Sequence, residues 1–162
     1  MPAVYVAAGS NIEPEKNLRH ALGELRREFR GLKTSPAYRN PAFGFEGDDF
    51  INLVVGFESA KAVQDVIRTL HRVEEVCGRP RLAPKWAPRS MDLDILLYGD
   101  AVIDEPGLRV PRADLTTKAY MLRPAADLAP DVIHPTLGQS LGELWKAFDQ
   151  SAVRMVEVPG LG

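Results

Sequence analysis

Cysteine is nearly absent. Cys77 is the only one in 162 residues, which excludes a disulfide framework and leaves too few soft ligands for the usual zinc sites. No apolar run approaches the roughly 18 residues a membrane span needs, so a helical membrane protein is excluded. The opening stretch Met1-Pro2-Ala3-Val4-Tyr5-Val6 carries neither a basic leader nor a small-residue cleavage site, and a cytoplasmic location is expected. Charge of one sign is not in excess either: the formal net charge is -2. That argues against nucleic-acid binding by a whole basic face, although a local cation cluster can still grip a small polyanion. Internal repeats and low-complexity segments are missing. With 45% hydrophobic and 26% charged residues the composition is that of an ordinary globular chain, and its length suits a single domain over residues 1–162, expected to act as a monomer.

Familiar catalytic motifs are also lacking. No Gly-x-x-x-x-Gly-Lys-[Ser/Thr] loop occurs, and Gly9-Ser10-Asn11 is too short and has no lysine, so any nucleotide must be held in another way. His20, His71 and His134 are scattered and make no nucleophilic triad. His20 reads as an exposed helix residue and His134, between Ile133 and Pro135, as structural. His71 lies three residues before Glu74 and shares its helical face, outside the apolar stripe.

What is present begins with an apolar run, Val4 to Ala8, feeding a helix that has Pro14 at its first position. Leu18, Ala21, Leu22, Leu25 and Phe29 fall on one face, and Gly31 is placed to end it. Residues 33–40 and 50–58 read as strands, the first an edge because of Pro36. Ser59 is placed to cap a second helix with the stripe Val63, Val66, Ile67, Leu70, Val73 and Cys77, which makes Cys77 a core residue. After a Pro-rich loop over 79–91, Asp92 to Tyr98 is a strand. A short element near Val102 and Val110 continues the sheet, 116–128 and 138–148 are helical, and 153–158 reads as a last strand. Strand, helix, strand, strand, helix, strand is the split βαβ order of an α+β, ferredoxin-like βαββαβ fold, a mainly antiparallel sheet with helices packed on it.

The strongest chemical signal is Asp92-Leu93-Asp94-Ile95-Leu96-Leu97. Side chains two apart on a strand share a face, with Cα atoms about 6.6 Å apart, so both carboxylates aim at one place while Leu93, Ile95 and Leu97 are expected on the other. Paired carboxylates repel unless cations compensate, and hard oxygen ligands suit Mg²⁺. A structural pair matched by arginines is the simpler alternative. Just upstream, Arg79, Arg81, Lys85 and Arg89 stand without one intervening acid. Guanidinium forks of this kind hold phosphate oxygens, so a cationic lid beside a metal site suits a triphosphate. Phe43, Phe50, Trp86 and Tyr120, with Asn40 and Asn52, form a third set. Singly each aromatic is ordinary core, yet rings and amides together suit a flat heterocycle.

These stretches resemble the 6-hydroxymethyl-7,8-dihydropterin pyrophosphokinases of folate biosynthesis. The likeness runs through Val6-Ala7-Ala8-Gly9-Ser10-Asn11, Tyr38-Arg39-Asn40-Pro41, Phe50-Ile51-Asn52 and Gly78-Arg79-Pro80-Arg81. It continues in Trp86-Ala87-Pro88-Arg89-Ser90-Met91-Asp92-Leu93-Asp94, Val110-Pro111, Tyr120-Met121-Leu122-Arg123-Pro124, and Ala129-Pro130 near His134-Pro135. The resemblance implies that Asp92 and Asp94 bind two Mg²⁺ on the phosphates of ATP, the co-substrate. It gives Arg79 and Arg89 catalytic places, with Arg89 the main phosphate partner. His71, Glu74, Arg81, Lys85, Trp86, Ile95, Arg112 and Lys118 would line the nucleotide. Phe43 and Tyr120 would sandwich the pterin, with Asn40, Pro41, Phe50, Asn52 and Trp86 around its edge. Four positions depart from the family pattern. Arg112 and Ala113 stand where many members have histidine and then proline or tyrosine, Lys118 replaces an arginine, and Asn40 replaces a common threonine. Read from the residues alone, an Asp-x-Asp glycosyltransferase and a non-catalytic ferredoxin-like ligand-binding module remain alternatives.

Overall fold

The computed structural model describes residues 1–40, 49–78 and 91–161. Val4 to Ala8 forms β1 (Ala3–Ser10), and its apolar run reflects a strand buried on both faces, as does Ile51-Asn52-Leu53-Val54-Val55 in β4 (Phe50–Glu58). Between them come α1 (Pro14–Glu28), β2 (Lys33–Thr34) and β3 (Ala37–Asn40); α2 (Val63–Val76) and β5 (Asp92–Tyr98) follow. The main sheet runs β5-β1-β4-β3, with β2 beside β4 and a late strand, β8 (Val156–Val158), added outside β3. Every neighbouring pair in it is antiparallel. This is the expected ferredoxin-like arrangement.

Helices cover both faces. Leu18, Ala21, Leu22 and Leu25 of α1 and Val66, Leu70 and Val73 of α2 pack on Val4, Val6, Ala8, Leu53, Val55, Leu93 and Ile95. The other face carries α3 (Asp114–Thr117), α4 (Ala119–Leu128) and α5 (Leu141–Ala147), whose Leu115, Met121, Ala125 and Leu141 close over Ala7, Val54, Leu96 and Leu97. No described helix is long and apolar enough to cross a membrane.

Six local expectations are corrected. Residues 33–40 break at Ser35-Pro36, because proline has no N–H for the ladder. There Ser35 N–H donates to the Val54 carbonyl at 2.8 Å and Ser35 Oγ accepts the Val54 N–H at 2.8 Å, so the side chain replaces a strand carbonyl. Neither is β3 an edge, since Ala37–Arg39 pair with β8. Ser59 does not cap α2: its hydroxyl accepts from Lys61 N–H, and Ala62 stands at the helix start without a side-chain cap. The segment near Val102 and Val110 forms a separate hairpin, β6 (Ile103–Glu105) with β7 (Leu108–Val110), rather than extending the sheet. The helix over 116–128 divides at Lys118, which is extended (φ -117°, ψ 119°) and starts α4.

The sixth correction concerns β5. Tyr5 pairs with Leu97 and Val6 with Ile95, so Leu96 is an extra residue, a β-bulge. One extra residue reverses the alternation beyond it. Leu93 and Ile95 face α1 and α2 as expected, but Leu97 joins Leu96 in the core under α4.

Candidate active site

Residues directly opposite in an antiparallel pair share a face. Asp94 stands opposite Ala7, and Asp92 opposite Gly9, which is opposite Asn52, which in turn is opposite Tyr38. Asn40 and Phe50 pair one step further along the same face. Ala7 and Val54 lie in the core beneath α4, so this whole row looks toward that helix. The sheet order thus brings the carboxylate pair of β5 and the amides of β3 and β4 onto one surface, although they are distant in sequence.

Both aspartates are half-buried. Arg112, whose backbone N–H donates to the Leu96 carbonyl at 3.0 Å, brings a guanidinium nitrogen within 3.5 Å of Asp94 Oδ1 and another within 3.6 Å of Asp114 Oδ2. Its Nε is buried with no hydrogen-bond partner among the described residues. Buried donors of this kind are normally satisfied, and a phosphate oxygen would complete it. Tyr120, in the first turn of α4, sits within electrostatic reach of the same group. Burial pushes its phenol above the ordinary range, Asp114, Asp94 and Asp92 add to the effect, and Arg112 opposes it. At neutral pH the ring is therefore uncharged. Among the described residues no cluster of three or more His, Cys, Asp or Glu could hold a metal. Two carboxylates with the rest of the shell left to phosphate and water is how Mg²⁺ is commonly bound, so the donor set fits that ion.

Two and three strands along the sheet from β5, Asn52 and Asn40 are each 8% exposed. Asn52 Nδ2 donates to Asn40 Oδ1 at 2.7 Å. Asn52 Oδ1 lies over Gly9, only 2.3 Å from where a Cβ on that glycine would stand. Next to them Tyr38 donates to Asp127 of α4, and Arg123 lies over the Tyr38 ring at 4.5 Å. Helix α4 consequently crosses the sheet from Tyr120, near β5, to Asp127, over β3.

Around the β5 edge the other nucleotide candidates divide. Glu74, 8% exposed on α2, accepts the Leu93 N–H at 2.8 Å, so at least one carboxylate oxygen fixes the strand that carries the aspartates. Ile95 turns its side chain into the α1 and α2 core, on the opposite face from Asp92 and Asp94. Only its backbone is left for a ligand on the carboxylate side. His71 is exposed on α2, and Lys118 is half-buried at the start of α4. Pro41 and Phe43, and Arg79, Arg81, Lys85, Trp86 and Arg89, lie outside the described residues.

Gly9 was not singled out from the sequence for this place. A glycine at the end of an otherwise apolar strand is the available signal, since it marks close approach by another group. Asp127 and Arg123 gave none, because their partner Tyr38 lies 89 and 85 positions away respectively.

Comparisons with known proteins bear on the family and the fold. A family model described as 7,8-dihydro-6-hydroxymethylpterin-pyrophosphokinase matches residues 5–130. The 2-amino-4-hydroxy-6-hydroxymethyldihydropteridine pyrophosphokinase of Pseudomonas aeruginosa is 39% identical over 148 residues, covering 89% of this chain and 90% of its own. The enzyme of the same name from Synechocystis is 35% identical over 160 residues, 96% of this chain and 80% of its own. Among solved structures, wild-type HPPK-DHPS of Plasmodium falciparum with pteroate superposes with a TM-score of 0.71 over 90% of this chain. It is 13% identical, a likeness of fold alone, and the present chain spans 42% of its length. Neither the glycosyltransferase nor the non-catalytic module is favoured by these matches.

Proposed function

The chain belongs to the 7,8-dihydro-6-hydroxymethylpterin-pyrophosphokinase family, and we propose that it performs the family's transfer with two magnesium ions held by Asp92 and Asp94. The enzyme moves pyrophosphate from ATP to 6-hydroxymethyl-7,8-dihydropterin, a step of folate biosynthesis. The hydroxymethyl oxygen forms a bond to the β-phosphorus while the bond from that phosphorus to the oxygen bridging the α-phosphate breaks. That oxygen leaves with AMP, and the hydroxyl proton passes to solvent.

One observation carries the reading. Asp92 and Asn52 flank Gly9 on the same face, so a site for phosphate and a site for a flat heterocycle's edge lie about 10 Å apart, two strand spacings. When bound, the metal ions would neutralise charge on the phosphate oxygens and align them for in-line displacement. The chain's own part is positional and electrostatic. Arg112 sets a guanidinium beside Asp94 with a donor unpartnered among the described residues, Tyr120 offers a neutral ring, and Asn52 offers an amide over Gly9. In this reading Arg79, Arg81, Lys85 and Arg89 add cations to the phosphates, Phe43 faces Tyr120 across the pterin, and Trp86 covers both. His71, Glu74 and Lys118 border the nucleotide from the β5 edge. No dedicated general base is needed, since transfer of this type depends mainly on positioning and charge stabilisation.

The test is the product. Protein, Mg²⁺, ATP and hydroxymethyl dihydropterin should release AMP and the pterin diphosphate; finding ADP, or no nucleotide product, would sink the assignment. Asp94→Ala should lower the rate by about a thousandfold and should abolish the Mg²⁺ dependence of ATP-analogue binding measured by calorimetry. Retained Mg²⁺ dependence in that variant counts against the metal assignment. We take the enzyme to work as a cytoplasmic monomer, which gel filtration and cell fractionation check.

A further inference from the structure

We infer that Arg112 makes metal entry wait for the nucleotide: its guanidinium, shared between Asp94 and Asp114, holds a bare divalent cation off the aspartate pair until a phosphate oxygen draws it away. The inference rests on the proposed metal role of Asp92 and Asp94 and adds an order to it.

Three carboxylates share one guanidinium here. Asp92, Asp94, Asp114 and Arg112 all act electrostatically on the Tyr120 phenol, which marks them as one cluster. One guanidinium nitrogen stands 3.5 Å from Asp94 Oδ1 and another 3.6 Å from Asp114 Oδ2. Both distances exceed the roughly 2.7–2.9 Å of a charge-assisted hydrogen bond, so neither carboxylate captures the group. The contacts are partly exposed, and pairs of that kind contribute little to stability. Nε is buried without a partner among the described residues. The side chain therefore gains more from an incoming oxyanion than it loses by leaving Asp94. Its backbone sets the limits of the movement. Arg112 N–H donates to the Leu96 carbonyl at 3.0 Å, which ties residue 112 to the strand that carries Asp94. The guanidinium can swing between Asp94, Asp114 and a phosphate, but it cannot leave the site.

A metal ion on Asp94 would sit about 2 Å from the carboxylate oxygen, hence about 5 Å from the guanidinium. A divalent and a monovalent cation at that separation repel enough to weaken metal binding by about tenfold, even at the dielectric of water. The phosphates of a nucleotide change this balance. They bring an acceptor for Nε and enough negative charge to hold both cations side by side. Bare metal is disfavoured at the aspartates, whereas metal arriving with phosphate is not.

The experiment titrates the metal-free protein with Mn²⁺, a hard cation that takes the same oxygen ligands as Mg²⁺, and reads free Mn²⁺ by electron paramagnetic resonance. Arg112→Gln removes the charge and should bind Mn²⁺ about tenfold more tightly than the parent. Calorimetry in EDTA with a non-hydrolysable ATP analogue should show the opposite change, a loss of about tenfold. A merely structural disturbance would weaken both. Arg112→Lys keeps the charge and drops the fork. Its Mn²⁺ affinity should stay within about threefold of the parent, while the analogue still binds more weakly. Arg112→Met takes the place of the glutamine variant if that one does not fold. Mn²⁺ binding by the neutral variant that is no tighter than the parent's, or undetectable in both, overturns the inference. So does a lysine variant that gains as much as the neutral one. Asp94→Ala separates the levels: if it keeps the Mg²⁺ dependence of analogue binding, the metal reading of the site fails. If it loses that dependence while the Arg112 variants bind Mn²⁺ as the parent does, only the present inference fails.

Discussion

A methyl group on residue 9 would overlap the Asn52 amide, since a Cβ there stands 2.3 Å from Oδ1. Because Asn52 is tied to Asn40, it has little room to yield. Gly9→Ala should therefore weaken pterin binding by about tenfold to hundredfold, the equivalent of one misplaced buried hydrogen bond, with ATP-analogue binding nearly unchanged; calorimetry with each ligand reads both. Arg112 makes the opposite case. Its pairing with Asp94 at 3.5 Å is partly exposed and contributes little as a salt bridge, but Nε, without a partner among the described residues, is placed to donate to an oxygen. Arg112→Ala should raise KM for ATP by about tenfold and leave pterin affinity alone. A change confined to pterin would contradict its placement. At this scale the sequence singled out Asp92 and Asp94 by their spacing, and Asn52 and Tyr120 by the family likeness, and the sheet register puts Asp92, Asp94 and Asn52 on one face. It did not reveal that the Ile95 side chain points away from them, since that depends on which face each core occupies.

Edge strand β5 depends on what holds it from outside. Along its outer side Glu74 takes the Leu93 N–H at 2.8 Å and Arg112 N–H takes the Leu96 carbonyl at 3.0 Å. Glu74→Ala strands a buried donor and should lower stability by about 1–3 kcal/mol, read from the urea midpoint. Glu74→Gln, which keeps an acceptor, should lose less. Equal losses in both would mean that the charge of Glu74, and not its bond to the strand, is what matters. Helices α1 and α2 and strands β1, β4 and β5 were legible because their apolar residues repeat with helical spacing or form continuous runs. The failures have local causes. Ser59 sits too far from Val63 to cap the helix, Pro36 interrupted a strand that β8 later covers, and Lys118 breaks a helix without proline or glycine to announce it.

Across the whole molecule, buried titratable groups frame the pH range of stability. Burial lowers the pKa of His134, whose Nδ1 accepts the N–H groups of Thr136 and Leu137. The unfolded chain then binds the extra proton more readily, so this contribution is lost as pH falls below about 6.5. Burial pushes the Cys77 thiol up to about 11, with Glu24 and Glu74 adding to it. It pushes the Tyr38 phenol up to about 12, aided by the hydrogen bond to Asp127. For both acids the folded state keeps its proton longer, so their contributions are full below the unfolded pKa values near 9 and 10 and fade through 11 and 12. Thermal midpoints should hold a plateau between about pH 6.5 and 9 and fall on either side. Cys77→Ala should flatten the decline between 9 and 11, and an unchanged slope would remove Cys77 from the account. The overall topology was readable because a strand-helix-strand, strand-helix-strand order admits few sheets. The bulge at Leu96 was not, because nothing in a run of leucines marks which one is extra. Upstream of that extra residue the strand presents the two carboxylates, and downstream Leu97 packs beneath α4 while Tyr98 turns to the opposite core and donates to the Lys61 carbonyl. The bulge thus lets the face taken by Leu97 and Tyr98 be set independently of the face shared by the two aspartates.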